Sequence, residues 1–195
     1  HCKRETRSNT KKTFFVEKMK GMKHLTRQDF RHFLPIPTRW MDNDIYGHVN
    51  NATYYSFFDT VINTYLIKHG ELDIHRGDTV GFAVETKCNF FKPLKFPDEI
   101  DGALRITKLG KSSVVYEVGL FGAAPPNLER DDPNGFAEFQ SKDTVAAFGH
   151  FIHVFVDRET QRPVGVLPEK LRSSCETLLV PPEHLRDHHY GTSSL

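Results

Sequence analysis

One stretch of helical periodicity, followed by an unbroken series of strand-like segments, most constrains how this chain can fold. Tyr54, Phe58, Val61, Ile62, Tyr65 and Leu66 recur at three- and four-residue spacing, and the run stops at His69-Gly70. Such a helix is about 25 Å long. Its apolar stripe is wide, which suits packing along a sheet. Asn50 or Asn51 is placed to cap its start, and Gly70 to follow its end. Upstream, "FLPIPTRW" (33–40) reads as a short strand interrupted by Pro35 and Pro37. Downstream, residues 79–91, 99–109, 112–121 and 143–157 alternate as strands do, and Pro168 leads into a short closing helix. A strand, a long helix and then four strands imply an α+β domain, with one helix against an antiparallel sheet of about five strands.

The 195 residues suit one domain. Residues 1–29 hold nine Lys/Arg and three Asp/Glu, a surplus of +6, which leaves −5 for the rest of a chain of net charge +1. This basic arm reads as a solvated tail. It is Lys-rich and contains Glu5 and Glu17, unlike an Arg-rich, acid-poor presequence. The domain is expected over 30–180, with a Pro/Gly/Asp-rich long loop at 122–142 and a tail at 181–195. The near-zero net charge gives no sign of a nucleic-acid partner. No apolar run reaches the ~18 residues of a membrane span. Cys2, Cys88 and Cys175 are far apart and form no CxxC pair, which suits a reducing compartment. The cytoplasm is expected, with the mitochondrial matrix as the alternative.

Chemistry concentrates in "DNDIYGHVNNATYY" (42–55). As a calcium loop it lacks the oxygens required at the fifth and twelfth positions, occupied here by Tyr46 and Thr53. Asp44 and His48 could hold a metal only with a distant third ligand. His150 and His153, three apart on a strand, point to opposite faces, so no metal is expected. There is no G-x-S-x-G, P-loop or G-x-G-x-x-G motif. Helix capping explains Asn50 or Asn51 but not Asp44, which lies too far upstream. A carboxylate beside a helix N-terminus does fit. Free N–H groups there can stabilise an oxyanion while the carboxylate attacks or activates water. Thioesters suit this pairing because a thiolate leaves with little acid assistance.

The stretch "RWMDNDIYGHVNNATYYSFFD" resembles the signature of hotdog-fold acyl-CoA thioesterases of the 4-hydroxybenzoyl-CoA thioesterase type. The shared pattern is D-x-D-x-x-G-x-V, then a Tyr near the helix start. "HVNN" is also similar to plant acyl-carrier-protein thioesterases, and "GKSSVVYEV" and "VFVDRETQRPVGVLPEKLR" resemble the family's third strand and closing segment. The resemblance covers about 33–171. It implies a single hotdog domain, a long central helix wrapped by the sheet, and an acyl-CoA thioesterase of fatty acid metabolism. Asp44 would be the catalytic carboxylate, the amide of Asn51 the oxyanion donor, and His48 and the neighbouring Asn50 part of the site. Another branch places its acid two turns into the helix, where Asp59 stands. Substrate would be bound around Gly47, with the acyl chain among Tyr54, Tyr55 and Phe58 and the coenzyme A phosphates at Lys108, Lys111 and Ser113. No cofactor is implied, since coenzyme A is part of the substrate. The thiol carrier is coenzyme A or an acyl carrier protein, and the assembly a homodimer or homotetramer. The alternative is a catalytically inactive hotdog protein that binds acyl thioesters or a protein partner.

Overall fold

A computed structural model describes residues 22–122 and 133–180. Residues 1–21 of the basic arm with Cys2, residues 123–132 of the expected loop, and the 181–195 tail lie outside the described residues. The elements are β1 (His32–Pro37), α1 (Asn51–Gly70), β2 (Thr79–Phe90), β3 (Glu99–Leu109), β4 (Ser113–Phe121), α2 (Pro133–Lys142), β5 (Ala147–Asp157) and α3 (Glu169–Thr177). The five strands form one sheet in the order β1-β3-β4-β5-β2, antiparallel at every pairing. With α1 laid along one face, this is the hotdog α+β domain.

The helix forms where periodicity and capping agree. Asn50 holds an extended backbone, and its side-chain oxygen accepts from the Ala52 amide at 2.9 Å. All six of the periodic apolar residues are buried, and Phe58, Val61 and Ile62 are wholly inaccessible. They meet Leu104, Tyr116, Val118 and Phe151 from the sheet in the main core. At the far end the helix runs through Gly70, and the left-handed cap falls on Glu71 (φ 52°) rather than on glycine. Gly70 serves a different purpose. A Cβ there would stand 2.9 Å from Leu171 Cδ1, so its absence lets α3 close against α1.

Two segments depart from the sequence reading. The arm becomes part of the fold from Met22 onward: Met22, Leu25 and Phe30 pack on Ala103, Phe121, Val145 and Phe148, on the sheet face away from α1. Arg27, 5 % exposed, anchors them. It donates to Asp101 at 2.6 Å, to Asp143 at 2.8 Å and to the Gly122 carbonyl at 2.9 Å, and lies over the rings of Phe121 and Phe139. Residues 133–142 of the expected loop form helix α2, although Pro, Gly and Asn crowd its first turn. Tertiary contact with Arg27 and the Lys142–Glu138 pair one turn apart override the composition.

Beneath this cover Arg105 and Glu117 face each other across β3 and β4, at 1 % and 0 % exposure. At the other side of the sheet β2 is the edge strand among the described residues, and Phe82, Val84 and Phe90 are exposed along it. No helix among the described residues is long and apolar enough to cross a membrane.

Candidate active site

The 42–50 loop is built from its own backbone. Asp42 is 1 % exposed and closes a 3-10 turn at Trp40–Asp42: its carboxylate accepts from the Arg39 amide at 2.7 Å and pairs with the Arg39 guanidinium at 2.9 Å. The first aspartate of the motif is therefore structural. The Asp44 amide donates to the His48 carbonyl at 2.8 Å, and the Gly47 amide to the Asp44 carbonyl at 3.1 Å. Gly47 adopts φ 80°, a left-handed backbone that a side chain disfavours. The loop is then tied to the body. Asn50 N–H donates to Asp42 O, Val49 N–H donates to Leu94 O, and Asn43 Oδ1 accepts from the Phe96 amide at 3.0 Å.

This scaffold holds Asp44 half-buried, with Oδ1 accepting from the Tyr46 amide at 2.8 Å. Its Oδ2 has no hydrogen bond among the described residues. The amide of Asn51, the first helical residue, also finds no acceptor among the described residues. It opens toward the N-terminal end of the α1 dipole, where a developing negative charge is favoured. Asp44, His48, Asn51 and Tyr54 line one cleft of about 470 Å³, together with Tyr46, Phe90 and Lys92. The Tyr54 hydroxyl accepts from the Leu94 amide at 3.3 Å, and its ring meets Phe90 edge-on at 4.9 Å. Burial raises the pKa of this phenol, and the Asp44 charge adds a smaller push in the same direction. Both described cysteines are protonated at neutral pH: burial pushes Cys88 up to about 12 and Cys175 up to about 11. Neither has the character of a nucleophile.

Not every expected residue meets in this cleft. Asn50 serves as the helix cap and Gly47 as the loop's turn. Phe58 is wholly buried in the core. Tyr55 is 38 % exposed and rests on Phe58 and Phe151, each at 6.2 Å. Asp59 sits on the exposed side of α1, its carboxylate accepting from Asn63 at 3.0 Å. Lys108, Lys111 and Ser113 lie around the β3–β4 turn, beside α3. There the Leu167 amide donates to Lys111 O at 2.9 Å, and Arg172 donates to Gly110 O at 3.2 Å. Since α3 packs on Gly70, the length of α1, 20 residues or about 30 Å, separates that turn from Asp44 in the same chain. The sequence reading missed Tyr46, Phe90 and Lys92. The run "NFFKPLKF" at the end of β2 and just beyond it shows aromatic and basic residues together, yet nothing local ties it to a loop some 40 residues earlier. Among the described residues no three His, Cys, Asp or Glu side chains are grouped to hold a metal ion.

The family model described as the thioesterase superfamily (4HBT) matches residues 46–125. The crystal structure of the PA5185 protein of Pseudomonas aeruginosa is 45 % identical over 79 % of this chain and 95 % of that one, with a TM-score of 0.67. This chain belongs to the thioesterase superfamily. The PA2801 protein of the same organism, a candidate thioesterase, is 25 % identical over 74 % of this chain and 98 % of that one (TM-score 0.60). A thioesterase of Thermus thermophilus, crystallised with coenzyme A and zinc, shares the fold at 23 % identity, over 75 % of this chain and 98 % of that one (TM-score 0.55). No curated protein matches the sequence. The superfamily match begins at Tyr46, so Asp42 and Asp44 precede it, whereas His48, Asn51 and Asp59 fall inside.

Proposed function

We propose that this thioesterase-superfamily chain hydrolyses acyl-CoA thioesters to the free acid and coenzyme A, with Asp44 as the catalytic carboxylate. One observation carries this reading: Asp44 shares a cleft with the first amide of a long helix, and among the described residues neither Asp44 Oδ2 nor that amide has a hydrogen-bond partner. In the proposed reaction the thioester oxygen accepts from the Asn51 amide. Asp44 either attacks the carbonyl carbon or takes a proton from the water that does. The C–S bond then breaks and the thiolate leaves; where Asp44 was the nucleophile, water then cleaves the acyl-Asp44 anhydride, releasing the acid and restoring the carboxylate. His48, exposed at the cleft, orients Asp44 or the water.

The test is thiol release from acyl-CoAs of graded length and from aromatic acyl-CoAs, by the wild type and Asp44→Asn. We expect Asp44→Asn to lower kcat by about 10²–10⁴-fold while leaving the melting temperature unchanged. Turnover that survives in a folded Asp44→Asn protein refutes the assignment. Coenzyme A esters bound but never hydrolysed would favour the inactive binding protein instead.

We further propose a homodimer formed through β2. This is the last strand of the sheet among the described residues, and exposed Phe82, Val84 and Phe90 lie along it. Antiparallel pairing about Thr86 would set Glu85 of one chain opposite Lys87 of the other. A single-chain mass by sedimentation equilibrium refutes it.

A further inference from the structure

Beyond the cleft, two buried polar groups on the helix-facing side of the sheet, the Tyr116 hydroxyl and His153 Nε2, have no hydrogen-bond partner among the described residues, and His153 lies beside the edge strand. His153 on β5 is 4 % exposed, and its Nε2 makes no hydrogen bond among the described residues. Tyr116 meets its ring edge-on at 5.0 Å from the far side. Burial holds this imidazole below its ordinary pKa, with the Asp59 charge acting in the opposite sense, so the ring is neutral at pH 7. A neutral imidazole offers one donor and one acceptor.

The strand register links the cleft to His153. Along β2, Phe90 lines the cleft, Thr86 lies opposite Phe151, and Ala83 lies opposite His153, all on the same face of the sheet. Thr86 and Ala83 are exposed, so α1 does not cover this strip. The bordering helix residues are Tyr55, which rests on Phe151, and Asp59 one turn later, whose charge reaches His153. The strip is apolar beside Tyr55 and becomes polar at Asp59 and His153. Asp59 stands eight residues past Asn51, about 12 Å along the helix axis.

We infer that Asp59 and His153 form the polar end of the acyl site, selecting acyl groups that carry a hydroxyl about 12 Å from the thioester carbon. The inference rests on the proposed acyl-thioester site. A hydroxyl donates to the Asp59 carboxylate and its oxygen accepts from His153 Nε2–H, so the buried nitrogen gains the partner it lacks. A terminal carboxylate is repelled by Asp59. A methyl terminus leaves Nε2 unsatisfied.

The probes are medium-chain S-alkyl-CoA thioethers, which cannot be hydrolysed, each with its ω-hydroxy counterpart. Dissociation constants are measured on the full chain, alongside kcat/KM for the matching thioesters. The wild type is expected to favour the hydroxylated member of at least one length by about tenfold or more. His153→Phe, which keeps a ring against Tyr116, is expected to bring that ratio to about one, and His153→Gln to retain part of it. Because each ratio is taken within one protein, partial misfolding of a variant does not imitate the effect. Equal affinity of the wild type for both members at every length overturns the inference, as does a preference that persists in His153→Phe. Selective binding without hydrolysis would uphold this site while refuting the thioesterase reading. Hydrolysis without hydroxyl preference would do the reverse, and binding of neither probe overturns the inference.

Discussion

Replacing Glu117 by leucine isolates the energetics of the face away from α1. Glu117 Oε2 accepts from Arg105 Nε at 2.6 Å, and Nη2 stands 2.5 Å from the same oxygen as an ion pair without hydrogen-bond geometry, with both side chains at 1 % exposure or less. The guanidinium also donates to Asp29 O at 3.2 Å and lies 5.3 Å from the centre of the Phe30 ring. Without Glu117 it keeps one carbonyl and one aromatic face but no anion. Leaving such a charge buried and uncompensated costs about 3–5 kcal/mol. For a chain of this size that lowers the melting temperature by about 6–20 °C, at roughly 2–4 °C per kcal/mol. The double variant Arg105→Met, Glu117→Leu buries no charge and is expected to melt within a few degrees of wild type, or above it. Calorimetry of the wild type, both single variants and the double variant closes the cycle. The reasoning is refuted if Glu117→Leu melts within about 2 °C of wild type, or if the double variant is no more stable than Glu117→Leu alone.

Other outcomes follow from the loop and the helix ends. Gly47→Ala meets no atom within 4 Å, so its cost is conformational, about 1–2 kcal/mol, and falls on the loop that holds Asp44; Gly47→Asn, which tolerates this backbone, is expected to retain more activity in the thiol-release assay. His32 packs against Tyr65 and His69, and burial, followed by the charges of His69 and Lys68, lowers its pKa. A lowered histidine binds its proton less readily when folded than when unfolded. Its stabilising effect is therefore full above the ordinary value of 6.5 and is lost as pH falls from there toward the folded value. Melting curves from pH 7.5 to 5 should accordingly show a shallower acid decline in His32→Phe than in wild type.

The sequence by itself determined the sequence-local parts of this protein. Helical spacing from Tyr54 to Leu66, an Asn cap and four alternating segments specify one helix and a sheet, because each signal sits within a few residues of the structure it makes. The 42–51 loop was legible for the same reason: its hydrogen bonds join residues no more than eight apart, apart from the ties at Leu94 and Phe96. The family resemblance singled out Asp44, and the tertiary structure supplied the physical difference between the two aspartates. Asp42 and Asp44 look alike in sequence, yet one is consumed by Arg39 and burial while the other keeps an oxygen open to the cleft. Only the fold assigned Phe90 and Lys92 to that cleft, removed Phe58 to the core and set Lys108, Lys111 and Ser113 at the opposite end of α1. It also made a buried anchor of Arg27, in an arm whose composition reads as solvated. Charge and composition describe what a side chain can do; the partners that decide what it does lie 74 residues away at Asp101 and 116 away at Asp143.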